Sequence, residues 1–134
     1  KMSKSYGNTI PLFGTPKQLQ KSINKIKTNL LEPGEPKNPE ESTVFQIWSA
    51  FATEAERERM YADFEGGIGW GDAKKQLFEL VNGELSEARE RYHELMAQPA
   101  QVEEVLQAGA ERLRPKSKAL LEQVRDAVGL RAYA

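Results

Sequence analysis

The sequence has no cysteine and a single histidine, His93, in its 134 residues. The lack of cysteine excludes a disulfide framework and a thiolate metal site. One histidine also excludes a metal site built on several imidazoles, and we predict no metal site. A catalytic triad would need a serine and an aspartate to converge on His93, which nothing in the sequence supports. We therefore interpret His93 as a solvated surface residue.

Long apolar runs and strand patterns are absent as well. No stretch is long enough to cross a membrane or to form the apolar part of a secretory signal. No run alternates between apolar and polar residues or is continuously β-branched, so a parallel sheet is not expected. With 39% hydrophobic and 29% charged residues, the length corresponds to one domain of slender helical layers. We predict an all-α, soluble, cytoplasmic protein without a membrane partner.

Acidic residues are missing from residues 1–31, although this segment contains six lysines. The net charge of the whole chain is −1, so the remainder of the chain is acidic. A basic N-terminal segment on an otherwise acidic chain indicates that an anionic ligand binds at the N-terminal end. It does not by itself indicate nonspecific binding of RNA.

The first five residues, Lys1-Met2-Ser3-Lys4-Ser5, bring together two ammonium groups and two hydroxyls shortly before Gly7. Lysine offers a compact charge on a flexible stem and serine a small donor, so the group suits the oxygens of a polyphosphate. A loop of this kind can both clamp a ligand and move. On composition alone, a solvated terminal tail is the alternative.

The pentapeptide KMSKS is identical to the second signature loop of the class I aminoacyl-tRNA synthetases. Residues 6–13 (YGNTIPLF), 66–71 (GGIGWG), 89–92 (RERY) and 109–111 (GAE) resemble the bacterial tryptophanyl-tRNA synthetases. The resemblance extends from Lys1 to about Leu130. It implies ATP-dependent activation of tryptophan, with Mg²⁺ accompanying ATP, and transfer of the aminoacyl group to the tRNA for tryptophan.

The resemblance also implies that much of the enzyme is missing from this sequence. In that family a nucleotide-binding fold and a His-Ile-Gly-His type motif precede KMSKS, and neither is found here. We expect the chain to be the C-terminal part only, inactive by itself, of an enzyme that is a homodimer when intact. The alternative is a free-standing helical module that binds RNA or another polyanion.

Site residues follow from the resemblance at the loop. The implied ATP-binding residues are Lys1, Met2, Ser3, Lys4 and Ser5. Lys4 is expected beside the phosphates as pyrophosphate leaves, with Lys1 assisting, so these two lysines are the predicted catalytic residues. The exposed candidates for tRNA binding are Lys37, Arg57, Arg59, Lys74 and Lys75, for which surface charges that serve solubility are the alternative.

The chain divides into four predicted segments. They are the KMSKS loop with an extended segment (1–14), a first helix (15–31), a proline-rich connector (32–41) and a helical bundle of the anticodon-binding type (42–134). Thr15 and Pro16 start the first helix, whose apolar stripe is predicted to reach Leu30. The whole is expected to be an antiparallel bundle of about five helices with an extended N-terminal loop.

Within the bundle we expect a short apolar helix over 42–52, a capping box at Thr53 that opens a helix to Glu65, and a tight glycine turn over 66–71. A long helix follows to Leu95, and its Gly83 indicates close packing. The last helix begins at Pro99, with a kink or break at Pro115. Trp48 and Trp70 are interpreted as core residues in preference to platforms for RNA bases.

Overall fold

A computed structural model describes residues 2–130 of the chain. A short 3₁₀ helix, Lys4–Tyr6, is followed by α1 (Pro16–Asn24), α2 (Thr43–Phe51), α3 (Glu54–Glu65), α4 (Trp70–Ala97) and α5 (Pro99–Ala127). No β-strand occurs within residues 2–130. The predicted all-α class and number of helices are confirmed. None of the helices in this part of the chain is long and apolar enough to span a membrane.

Two capping boxes fix the starts of α1 and α3. Thr15 accepts the backbone N–H of Gln18 at 3.2 Å, and the Gln18 side chain accepts the Thr15 N–H at 2.8 Å. Thr53 and Glu56 make the same reciprocal pair at 3.4 and 2.8 Å. Each box satisfies backbone donors that a helix start would otherwise leave unpaired. The capping box predicted at Thr53 is thus confirmed.

The first helix is shorter than predicted, because α1 ends at Asn24 and not near residue 31. The Lys74 ammonium donates to the carbonyls of Asn24 and Ile26 at 3.1 and 2.8 Å. A distant side chain therefore satisfies carbonyls that a longer helix would have paired internally. Leu30, which was expected on the apolar stripe, is 98% exposed.

The chain divides into two compact units, and the core lies in the first, Lys1–Tyr92. Trp48 is 3% exposed, which confirms its interpretation as a core residue. The rings of Phe45 and Trp70 pack edge-on against Phe64 at 5.6 and 5.7 Å. The core comprises Leu19 and Ile23 of α1, Val44, Phe45 and Trp48 of α2, Met60 and Phe64 of α3, and Ala73, Leu77 and Val81 of α4.

The second unit, His93–Ala134, contains the end of α4 and all of α5. No residue of α5 is buried, so its apolar side chains are not part of the core. The break predicted near Arg114 is wrong, since α5 continues through Pro115. The residues on both sides are exposed, so water can solvate the Glu111 carbonyl that Pro115 leaves without an amide partner. A bend at this point stays a prediction.

Two predictions concerned glycines, and the structure confirms one of them and contradicts the other. The turn expected over residues 66–71 lies at residues 66–69, between α3 and α4, with Gly67 at φ +86°, and residues 70 and 71 already belong to α4. Gly83, in contrast, is exposed, and nothing lies within 4 Å of the position that its Cβ would occupy. The close packing predicted at Gly83 is therefore wrong.

Candidate functional site

Within the signature loop (residues 1–5), Ser3, Lys4 and Ser5 belong to a turn that makes its own hydrogen bonds. Lys1 lies outside the described residues. The Ser3 hydroxyl accepts the Ser5 N–H at 3.2 Å and lies 2.6 Å from the Ser5 hydroxyl. The Tyr6 N–H donates to the Ser3 carbonyl at 3.2 Å, which closes the 3₁₀ turn. The backbone around Lys4 is therefore ordered by its immediate neighbours.

Gly7 and Asn8 hold the two ends of this turn together. Gly7 adopts φ +61°, a left-handed conformation that glycine enters without steric cost, and its N–H donates to the Lys4 carbonyl at 3.1 Å. The Asn8 side chain accepts the Ser3 N–H at 2.7 Å. Asn8 was not among the predicted site residues, because its bond reaches back five residues and is not a standard local turn pattern.

The turn presents positive charge to solvent. Lys4 is exposed, and no carboxylate pairs with it in the part of the chain that the structure describes. One proton of the Ser3–Ser5 hydroxyl pair joins the two oxygens, which leaves the other proton available to a ligand. An exposed ammonium beside a hydroxyl donor favours an oxyanion such as a phosphate.

A cavity of about 820 Å³ opens on one side of this turn. Two lysines, Lys25 and Lys27, and no acidic residue are among its lining residues, so it adds to the positive potential beside the loop. The lining residues are Met2, Tyr6, Gly7, Asn8, Thr9 and Ile10 from the N-terminal segment, Ser22, Lys25, Ile26 and Lys27 from α1 and the residues after it, and Thr43 and Ile47 from α2.

The prediction that Lys37 is exposed is wrong, since only 2% of its surface is accessible. Its ammonium donates to the carbonyls of Glu32 and Glu35 at 2.8 and 2.9 Å. It also lies 5.6 Å from the centre of the Trp70 ring, within cation–π range. The charge of Lys37 is thus used to fold the proline-rich connector onto α4.

The other candidates for tRNA binding lie on α3 and α4. Arg57 is paired with Glu54 at 2.6 Å, and Lys74 is occupied by the carbonyls at the end of α1. Arg59 on α3 and Lys75 on α4 are exposed. Within residues 2–130 these two side chains make no hydrogen bond or salt bridge, although the charge of Arg59 helps to lower the pKa of Glu56.

Trp70 is partly buried and fully engaged, as its interpretation as a core residue required. Its indole N–H donates to the Asn29 side chain at 3.1 Å, one edge packs against Phe64, and Lys37 lies over its face. The face of the ring that Lys37 covers is therefore not available to a stacking base. Among the described residues, no group of three histidine, cysteine, aspartate or glutamate side chains is placed to hold a metal ion. His93 is exposed.

The chain matches the family model of class I tRNA synthetases (W and Y) over residues 1–86. It is 56% identical to the tryptophan–tRNA ligase of Neisseria meningitidis over 98% of this chain and 39% of that protein. It is 46% identical to the same ligase of Pseudomonas putida over 99% of this chain and 30% of that protein. The chain thus spans about a third of the length of these curated relatives.

A solved structure gives the same relationship in three dimensions. The crystal structure of tryptophanyl-tRNA synthetase from Campylobacter jejuni, in complex with ADP and tryptophan, superposes with a TM-score of 0.91 at 37% identity. The match covers 97% of this chain and 41% of that chain.

Proposed function

This chain belongs to the class I tRNA synthetases of the tryptophan and tyrosine group, and on that premise we propose that it is the C-terminal part of a tryptophan–tRNA ligase. The intact ligase would activate tryptophan with ATP and transfer it to the tRNA for tryptophan. The observation that carries this proposal is the signature loop, in which the exposed Lys4, unpaired with any carboxylate of residues 2–130, lies on a turn closed by its own hydrogen bonds.

The role proposed for Lys4 follows from where charge develops in the first step. The carboxylate of tryptophan forms a bond to the α-phosphorus of ATP while the bond to the bridging oxygen breaks, and pyrophosphate carries the electron pair away. Negative charge therefore grows on the departing phosphates. An ammonium placed against them stabilises the transition state more than it stabilises bound ATP.

The neighbours of Lys4 complete the proposed phosphate site. Lys1 would assist at the start of the loop, and Ser3 and Ser5 would offer the hydroxyl proton that their mutual hydrogen bond leaves available. Met2, which is 46% exposed, would contact the nucleotide with its side chain. Residues 1–31 contain no carboxylate, so a Mg²⁺ ion that accompanies ATP would be held by the phosphates and not by this segment.

For the RNA we propose contacts at Arg59 and Lys75, the exposed members of the predicted set whose side chains make no hydrogen bond or salt bridge within residues 2–130. Phosphate contacts of this kind position an RNA without reading its sequence, and they weaken as salt rises. We further propose that the full-length ligase is cytoplasmic and forms a homodimer, as the resemblance implies.

The test is single-turnover formation of the adenylate by a full-length ligase that contains this chain. Lys4→Ala should raise the barrier by about 2.7 to 4 kcal/mol, the usual worth of one preorganised donor, and change ATP affinity less. Lys17→Ala, at an exposed lysine of α1, is the control that removes the same charge away from the loop. An unchanged rate in Lys4→Ala, with only weaker ATP binding, would mean that Lys4 anchors ground-state ATP and has no part in the step.

The 134-residue chain offers a second, independent measurement. Alone it should show no tryptophan-dependent exchange of pyrophosphate into ATP, because the loop supplies only part of an ATP site and no pocket for the amino acid. Its binding of tRNA should be weak and strongly salt-dependent. Tight binding that persists at high salt would favour a free-standing RNA-binding module instead.

A further inference from the structure

The rings of Phe13 and Tyr92 stack face to face, with centroids 4.7 Å apart and planes 5° from parallel. Phe13 lies just after the turn that carries the signature loop, and Tyr92 lies far along the chain on α4. Both side chains remain partly accessible, at 43% and 37% exposed. The stack is therefore a surface contact between the loop segment and the long helix, outside the buried core.

The segment on the Phe13 side is closely packed. A Cβ on Gly14 would lie 2.9 Å from the Pro11 ring, so these two residues are already in close contact. The capping box of Thr15 and Gln18 begins directly afterwards. Phe13 thus lies between a tight turn and a fixed helix start, so a contact of its ring bears on where this segment, and the turn before it, is held.

The helix on the Tyr92 side is also well supported. Leu77 and Val81 of α4 are fully buried in the core. Arg89, one turn before Tyr92, is 8% exposed, and its guanidinium donates to the Asn82 side chain at 3.0 Å. Tyr92 thus lies one turn beyond the part of α4 that is anchored in the core of the first unit.

We propose that Tyr92 is a positioning residue for amino-acid activation, and that it acts by holding the signature loop in place through Phe13. This inference rests on the function proposed for Lys4. Tyr92 would touch neither ATP nor tryptophan. Its ring would restrict where the loop segment lies, so that Lys4 reaches the departing phosphates in the productive geometry, in which small misplacements are costly.

The experiment measures single-turnover adenylate formation and the KM for ATP in a full-length ligase that contains this chain. Tyr92→Ala should slow adenylate formation roughly two- to tenfold, the worth of one aromatic pair, with little change in the KM for ATP. Phe13→Ala should slow it equally. The double variant should be no slower than either single variant, because both remove the same contact.

Two further variants separate positioning from a general structural role. Tyr92→Phe keeps the ring and should restore the rate, whereas equal loss in Tyr92→Phe and Tyr92→Ala would overturn the proposal. Leu12→Ala, at a neighbouring side chain that is 53% exposed, should leave the rate unchanged. If Tyr92→Ala does not fold, Phe13→Ala carries the same test, since Phe13 is in a surface segment.

Lys4→Ala in the same enzyme distinguishes the role of Tyr92 from the role proposed for Lys4. A slow Lys4→Ala together with normal rates in Tyr92→Ala and Phe13→Ala overturns the positioning role alone. A normal rate in Lys4→Ala overturns the role proposed for Lys4 and the positioning role that rests on it.

Discussion

The amide of Gly34 donates a 2.8 Å hydrogen bond to the carbonyl of Gly67, and a Cβ on Gly67 would lie only 2.5 Å from the carbonyl carbon of Gly34. Both glycines have positive φ, at +90° and +86°. This contact joins the proline-rich connector to the turn between α3 and α4. It brings the connector to the place where Lys37 can reach Trp70.

Gly67→Ala should destabilise the first unit, because it adds a steric clash to an unfavourable backbone conformation. We expect a loss of about 2 to 5 kcal/mol, from roughly 1 to 2 for the left-handed conformation and 1 to 3 for overpacking. Gly34→Ala is the matched control: its Cβ would meet nothing within 4 Å, so only the conformational cost applies. Urea unfolding of the two variants gives the comparison, and equal losses would refute the clash.

The sequence was sufficient for features that depend on a few neighbouring residues. The capping box at Thr53, the glycine turn over 66–71 and the burial of Trp48 were all predicted, because each rests on local hydrogen bonding or on a pattern within one helix. The KMSKS stretch could be identified for a similar reason, because the identities of five neighbouring residues define it.

What could not be predicted depends on contacts between distant segments. The end of α1 is set by Lys74, which follows Asn24 by 50 residues. Lys37 was expected in solvent because a lysine in a proline-rich loop usually lies there. Nothing near Phe13 in the sequence indicated that it would stack on Tyr92.

Gly83→Ala should stabilise the protein. Gly83 lies in the interior of α4 with open space at its Cβ position, so alanine would introduce no clash and would reduce the backbone entropy lost on folding. The expected gain is about 0.5 to 1 kcal/mol, measured as a rise in the urea midpoint. Gly14→Ala, where the Cβ would meet the Pro11 ring at 2.9 Å, should have the opposite sign. A loss of stability in Gly83→Ala would indicate a contact at this position after all.

Acid should weaken the start of α3. The Thr53 hydroxyl and then the Thr53 N–H donate to the Glu56 carboxylate, which holds the pKa of Glu56 below its ordinary value of 4.5. Since the folded state favours the ionised form, this stabilisation is present above pH 4.5 and is lost as pH falls through the lowered pKa.

Glu56→Gln keeps a neutral acceptor, like Gln18 in the other box. The free energy of unfolding should therefore depend less on pH in this variant than in the wild type between about pH 5 and 2. Identical pH profiles would contradict the assignment.

Lys37→Met tests whether this lysine serves the fold or an RNA. Methionine keeps the apolar stem but removes the ammonium, so the carbonyls of Glu32 and Glu35 lose their donor and Trp70 loses its cation. We expect the free energy of unfolding to fall by about 1.5 to 3 kcal/mol, the range for a hydrogen bond to a charged group.

Tryptophan fluorescence is the suitable probe, because both tryptophans lie in the first unit with Lys37. Lys75→Met, at an exposed lysine of α4, removes the same charge and should change stability by less than about 0.5 kcal/mol. The effects on tRNA binding should be the opposite. Lys75→Met should lower the salt dependence of tRNA binding by roughly one phosphate contact, and Lys37→Met should leave it unchanged. The opposite result would be an unaltered unfolding midpoint and weaker tRNA binding in Lys37→Met. It would mean that the hydrogen bonds of Lys37 within the connector contribute little to stability, and that its ammonium leaves the two carbonyls to bind the RNA.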